Sequence, residues 1–160
     1  MQIGIVSDTH GQVEFTRAAI RMLESFEVAQ VIHCGDIGGA AIVELFSQWP
    51  THYVLGNVDR DPEYIQEKIE SAGQTFCGMF GQLTIADRKI AFLHGHDENR
   101  LKSTIHSDAF DLVCHGHTHQ AANYLVGKTR VLNPGALFRA SRHTIAIVDL
   151  PELEVNIVPV

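Results

Sequence analysis

The chain has 160 residues, 45% of them apolar, with 12 Lys and Arg against 19 Asp and Glu for a formal charge of −7. That is the size of one domain with its own core, so one domain over 1–160 is expected, and a disordered chain is excluded. The acidic balance argues against polymeric nucleic acid or an anionic membrane as partner. The cysteines, Cys34, Cys77 and Cys114, form no CxxC pair, which removes a thiol redox motif and a cysteine zinc finger. No apolar run is long enough to span a bilayer, and no charged start leads into an apolar leader. A cytoplasmic protein in a reducing compartment is therefore expected.

Residues 2–7 read as a buried strand ending in Asp8, Thr9, His10 and Gly11. Phe15, Ala19, Met22 and Phe26 then recur at helical spacing. A second apolar run, 28–33, ends in Cys34, Gly35 and Asp36, and 40–46 has a helical pattern. A third run, 53–55, ends in Gly56, Asn57, Val58 and Asp59. Pro62 suits the start of a helix with Tyr64, Ile65, Ile69 and Ala72 on its apolar side, and Gly73 suits its stop. This β-α-β-α-β-α opening predicts a sheet that is at least partly parallel.

The second half changes character. Leu83 and Ile85 alternate before a turn at Asp87 and Arg88, and 90–93 is a strand ending at His94. A helix over 98–106 precedes a short strand, 112–114, that ends in His115, Gly116, His117, Thr118 and His119. Strands 124–126 and 129–132 flank Gly127 and Lys128 as a hairpin, and 145–150 and 153–158 flank Pro151 and Glu152 as another. The two patterns together point to an α/β chain with two packed sheets and helices outside.

Ten histidines are many for such a chain, and their positions matter more than their number. Asp8, His10, Asp36, Asn57, His94, His117 and His119 all fall just past a predicted strand end, mostly beside glycine. Open α/β sheets bind ligands at that edge. Taken singly, Asp8 fits a cap, Gly35–Asp36 and Gly56–Asn57 fit ordinary turns, and His94 fits a hydrogen-bonded core histidine. Jointly they form a set of carboxylate, imidazole and amide ligands, suited to manganese, iron, nickel, zinc or magnesium. Seven ligands exceed one tetrahedral structural zinc. They suit two divalent cations sharing a carboxylate, roughly 3.5–4 Å apart, as in centres that displace groups at phosphorus.

These motifs resemble those of the calcineurin-like metallophosphoesterases, and the match is close to the small, single-domain phosphodiesterases of bacteria and archaea. Asp8–Thr9–His10 matches D-x-H, Gly35–Asp36 matches G-D, and Gly56–Asn57–Val58–Asp59 matches G-N-x-D. His94–Gly95–His96 matches H-G-H, and Gly116–His117–Thr118–His119 matches G-H-T-H. Asn133–Pro134–Gly135 resembles the small subfamily's N-P-G loop. The resemblance implies a four-layer α-β-β-α sandwich with two mixed sheets. It also implies that Asp8, His10, Asp36 and His119 hold one metal and that Asp36, Asn57, His94 and His117 hold the other. Asp36 would bridge, and manganese is the first expectation.

Many members carry a histidine after the Asn of G-N-x-D, where it serves the leaving oxygen or the phosphoryl group. Val58 stands there and can neither donate nor accept a proton. Activated esters are therefore the favoured substrates. His96 is the nearest group to assist, and Arg60 offers a planar fork to a phosphate oxygen. Either also fits a supporting or surface role. His33 and His115, just before ligand loops, suit support of those loops.

The expected activity is hydrolysis of a small phosphodiester by a metal-bridging hydroxide, with Asp36, Asn57 and His96 as the catalytic groups. The rivals are a phosphomonoesterase, a cyclic-nucleotide phosphodiesterase, and a protein-binding scaffold of the same fold, as in the retromer subunit. All seven ligand positions hold competent residues, which favours the enzyme. A homo-oligomer is left open.

Overall fold

The computed structural model describes residues 1–160. Three β-α units open the chain. They are β1 (Gln2–Val6), α1 (Val13–Ser25), β2 (Gln30–His33), α2 (Ala40–Leu45), β3 (Thr51–Tyr53) and α3 (Pro62–Ser71). The crossover helices make β1, β2 and β3 parallel neighbours, and a two-residue strand, β4 (Thr75–Phe76), extends the series. A second set follows: β5 (Gly81–Ile85), β6 (Arg88–Phe92), α4 (Glu98–Ile105), β7 (Leu112–Cys114), β8 (Ala122–Val126) and β9 (Thr129–Asn133). The final hairpin, β10 (Thr144–Asp149) and β11 (Glu154–Pro159), returns to the first sheet beside β1.

Both sheets are mixed. Six strands run in the order β11-β10-β1-β2-β3-β4, and five in the order β5-β6-β7-β9-β8. Three apolar layers explain the stacking. Ile3, Ile5, Ile32 and Val148 of the first sheet meet Ile90, Phe92, Leu112 and Leu132 of the second. Alternate residues such as Val6 and Val31 face the other way, onto Ala19 and Leu23 of α1, Ile42 of α2 and Ile69 of α3. Ala91, Val113 and Val131 on the outer face of the second sheet pack with Ile105 of α4. The result is helix, sheet, sheet, helix.

Local signals account for the helix ends. Asp61 accepts from Tyr64 N–H at 3.1 Å and Pro62 fills the first position of α3, while Gly73 follows its end at φ +71°. The buried face of α1 is Thr16, Ala19, Ile20 and Leu23, turned slightly from the stripe expected at Phe15, Ala19, Met22 and Phe26. Phe15 instead lies against the His143 ring at the surface. The hairpin turn expected at Asp87 and Arg88 sits one residue earlier. Ile85 pairs with Arg88 across Ala86 and Asp87, both at positive φ, the geometry of a tight hairpin loop.

Candidate metal centre

The carboxyl ends of parallel strands from both sheets meet at one edge. Asp8 and His10 follow β1, Asp36 follows β2 and Asn57 follows β3; His94 follows β6, and His117 and His119 follow β7. The loops stay paired past the strands. Asp8 N–H donates to Gly35 O at 3.0 Å, His10 N–H to Asp36 O at 2.9 Å, and Gly116 N–H to His94 O at 2.9 Å.

Two groups of potential ligand atoms converge within 4.8 Å: Asp8, His10 and His119, and Asp8, Asp36 and His94. Asp36 Oδ2 lies 3.3 Å from His10 Nε2 and 3.2 Å from His94 Nε2, so it spans the two groups. Asp8 Oδ1 lies 3.2 Å from His119 Nε2, 3.7 Å from His10 Nε2 and 4.0 Å from His94 Nε2. Asn57 Oδ1 is 3.1 Å from His94 Nε2. His117 stands outside both tight groups. Its ring is exposed and 5.1 Å from that of His94, and its backbone N–H donates to Asp8 Oδ2 at 3.1 Å.

The tautomers decide what these atoms want. His94 Nδ1 donates to Cys34 O at 2.9 Å, and His119 Nδ1 donates to Arg139 O at 3.4 Å. A carbonyl only accepts, so each Nδ1 carries the proton and each neutral ring turns an Nε2 lone pair toward carboxylate oxygens. Ser7 Oγ–H (2.6 Å) and His117 N–H satisfy Asp8 Oδ2, which leaves Oδ1 for the site. Asp8 Oδ1 and His10 Nε2 are buried with no hydrogen-bond partner. Buried acceptors facing one another without donors are costly, and a divalent cation among them resolves the conflict. The donor set fits such a metal. Without one, protons do part of the work. Burial disfavours charged His94, but the hydrogen bond to Asp36 and the charges of Asp36 and Asp8 outweigh it and raise its pKa. Burial likewise works against ionised Asp36, yet His94, Val58 N–H and His10 pull its pKa down.

Glycines allow the loops to close this far. A Cβ on Gly56 would fall 1.9 Å from Asp36 Oδ1, and one on Gly116 would fall 1.9 Å from Ser7 Oγ and 2.5 Å from Asp8 Oδ2.

Against this geometry, the sequence matches the model of the Calcineurin-like phosphoesterase superfamily domain over residues 1–152. It is 31% identical over 159 residues to Phosphodiesterase MJ0936 of Methanocaldococcus jannaschii, covering 96% of each chain. The chain belongs to the calcineurin-like phosphoesterase superfamily. It is also 28% identical over 148 residues to the Probable metallophosphoesterase YsnB of Bacillus subtilis, covering 86% of this chain and 75% of YsnB. A solved archaeal phosphodiesterase superposes with a TM-score of 0.92 at 30% identity, all of both chains covered. Vps29 of Entamoeba histolytica shares the fold, with a TM-score of 0.72 at 19% identity over 100% of this chain and 98% of its own.

In this phosphoesterase, several residues outside the expected set shape the centre. Asn133 at the end of β9 is fully buried; its Nδ2 donates to Gly116 O at 2.9 Å and Thr118 Oγ1 at 3.1 Å, and its Oδ1 accepts from Gly135 N–H at 2.9 Å. It fastens the loop of His117 and His119, a task the N-P-G motif did not disclose. The Phe138 ring lies 4.7 Å from that of His10, and the Arg139 guanidinium lies over it at 4.9 Å. Nothing in local composition marks Phe138, Arg139 or Ser7.

The remaining expected residues fall as follows. Buried Asp59 accepts from Ile37, Gly38 and Gly56 N–H at 2.9, 3.2 and 2.8 Å, orienting two ligand loops. Its pKa is raised, by burial first. His33 joins Thr9 Oγ1 and Gly35 N–H and so supports the loops of Asp8 and Asp36. His115 donates from Nδ1 to the next residue's carbonyl, Gly116 O, at 3.1 Å. His96 lies beside the centre, its ring 5.6 Å from His94 and 6.2 Å from His117. Arg60 is exposed and makes no ion pair.

Proposed function

We propose that the chain hydrolyses a small phosphodiester at two divalent cations. Asp8, His10, Asp36 and His119 hold one, and Asp36, Asn57, His94 and His117 hold the other. The observation that carries this reading is the pair of pinned imidazoles, His94 and His119, whose Nε2 atoms face Asp36 Oδ2 and Asp8 Oδ1, while the hydroxyl and backbone donors of those carboxylates go to the other oxygens. The phosphodiesterase likeness at 31% identity supports the choice of bond. When bound, such cations supply a more acidic water and neutralise developing charge on phosphorus.

The chain's own part is positioning. Asp36 spans both groups, and Val58 N–H fixes its other oxygen at 3.1 Å. Asn57 is exposed beside His94, where its amide can meet a phosphoryl oxygen. Val58 offers no proton to the leaving oxygen, which favours activated leaving groups, and His96, its ring 5.6 Å from that of His94, is the candidate to assist. Manganese is the first choice on the family likeness, and the oxygen and imidazole set equally admits nickel, iron, zinc or magnesium. Cys34, Cys77 and Cys114 are all free thiols, in keeping with a reducing cytoplasmic setting.

The test pairs metal analysis with hydrolysis of bis(4-nitrophenyl) phosphate and 4-nitrophenyl phosphate. The manganese-loaded chain cleaves the diester faster than the monoester. Asp36→Asn binds less metal and loses about 100-fold or more in rate, the scale of damage to a metal's support. Wild-type metal content and rate in Asp36→Asn would overturn the two-metal reading.

A further inference from the structure

Beside the centre lies a cavity of about 210 Å³ whose walls include Met79, His94, His96, Asp97 and Arg100. It shares His94 with the converging ligands and so adjoins the centre. Its volume is below the roughly 300–1,000 Å³ of sites that enclose drug-sized ligands. It therefore suits one arm of an ester, such as a single substituted ring. A larger groove of about 360 Å³, lined in part by Gln82, Lys89 and Phe110, shares no residue with the centre.

The walls specify the arm. Met79 is 42% exposed and gives an adaptable apolar side. Asp97 uses its carboxylate to cap α4, accepting from Arg100 N–H at 3.0 Å. The Arg100 guanidinium lies 4.8 Å over the Phe80 ring, which limits its freedom without neutralising it. The Lys and Arg ion pairs of the molecule are Lys68–Glu67, Arg88–Asp111 and Lys102–Glu98, so Arg100 has no carboxylate partner. In a chain of net charge −7, an exposed guanidinium without a carboxylate partner at the wall of a cavity beside the centre is a candidate receptor for an anion, next to an Asp97 carboxylate already engaged by Arg100 N–H.

We propose that this cavity receives one arm of the phosphodiester substrate and that Arg100 selects an arm ending in an oxyanion. The inference rests on the phosphodiesterase reading above. It makes Arg100 a specificity residue and leaves the chemistry at phosphorus to the metal centre.

The experiment compares bis(4-nitrophenyl) phosphate with 4-carboxyphenyl 4-nitrophenyl phosphate on wild type, Arg100→Gln and Arg100→Lys. Arg100→Gln raises KM for the carboxylated diester roughly tenfold, the scale of one charge-assisted hydrogen bond, and changes the uncharged diester less than about twofold. Arg100→Lys recovers part of the loss, because it keeps the charge without the fork. Equal effects on both diesters, or none, would overturn the proposal. A second readout separates it from the activity itself. 4-Hydroxybenzoate, the carboxylated arm as a free phenol, is titrated into the wild-type chain while the Arg100 Nε–H resonance is followed. A saturable shift without turnover of either diester sinks the phosphodiesterase reading and keeps the pocket. An unmoved resonance sinks the pocket whatever the turnover.

Discussion

Asp8, His10, Asp36, His117 and His119 have φ of 54°, 43°, 54°, 71° and 58°, all in the left-handed region. Asp and His tolerate that region better than most residues, yet each such position costs on the order of 1–3 kcal/mol unless its surroundings enforce it. Here the enforcement is visible in the cross-loop hydrogen bonds and in His33. That histidine is fully buried; Gly35 N–H donates to its Nδ1 at 3.2 Å. The Thr9 hydroxyl is committed to Ile37 O at 2.8 Å, so His33 Nε2–H donates to Thr9 Oγ1 at 2.9 Å. Both ring nitrogens are satisfied in the neutral form. Burial first, and the neighbouring His94 second, lower its pKa to about 3. In the unfolded chain the ordinary value is about 6.5. The unfolded state thus takes up a proton that the folded state refuses as pH falls between those values. Stability from His33 is fully present above pH 6.5 and drains below it, by up to about 1.4 kcal/mol per pH unit. Urea midpoints at pH 7, 5.5 and 4.5 should fall less steeply in His33→Gln than in wild type; parallel slopes would refute this. Strand-end placement of the proposed ligands was legible in the sequence because apolar runs stop at them. Their left-handed turns were not, since Asp and His fill positions that glycine would have announced.

Elements carry the proposed ligands, and their packing decides how closely the loops meet. Gly4 of β1 is where α1 sits on the first sheet; a Cβ there would fall 2.3 Å from Leu23 Cδ2, in a core with Leu23 fully buried. Gly4→Ala should therefore cost about 1–3 kcal/mol as overpacking, read from the denaturant midpoint. Leu23→Ala in the same chain makes room, so the double variant should be less destabilised than the sum of the singles. Strict additivity would show that the helix does not rest on Gly4. The four helices and most strands could be read locally, from spacing, Pro62, Gly73 and the Gly127 hairpin. Strand β4 was missed because two residues have no periodicity. The turn at Ala86 and Asp87 was displaced by one residue because neither is glycine or asparagine. The placement of β9 beside β7, with β8 at the edge, depends on partners far along the chain that no local pattern specifies.

At the scale of the molecule, the centre joins the two sheets. Asp8, His10, Asp36 and Asn57 come from the six-stranded sheet, and His94, His117 and His119 from the five-stranded one. A bound metal pair would tie those edges together and relieve the facing carboxylates. Its removal leaves both sheets on their apolar interface and Asp8 and Asp36 on their own. Binding that is restricted to the folded state adds about 2.7 kcal/mol at 100 times the dissociation constant. For a chain of this size each kcal/mol moves Tm by about 2–4 °C. Manganese should then raise Tm of the chelated wild type by about 5–10 °C, measured by calorimetry or circular dichroism. Asp36→Asn separates the two contributions. Without metal it lacks the carboxylate whose pKa His94, Val58 N–H and His10 pull down, so its Tm should fall below that of the chelated wild type. With manganese it should gain much less. A wild-type Tm indifferent to manganese, or an Asp36→Asn gain as large as the wild type's, would mean that the convergent lone pairs are held by protons rather than by cations.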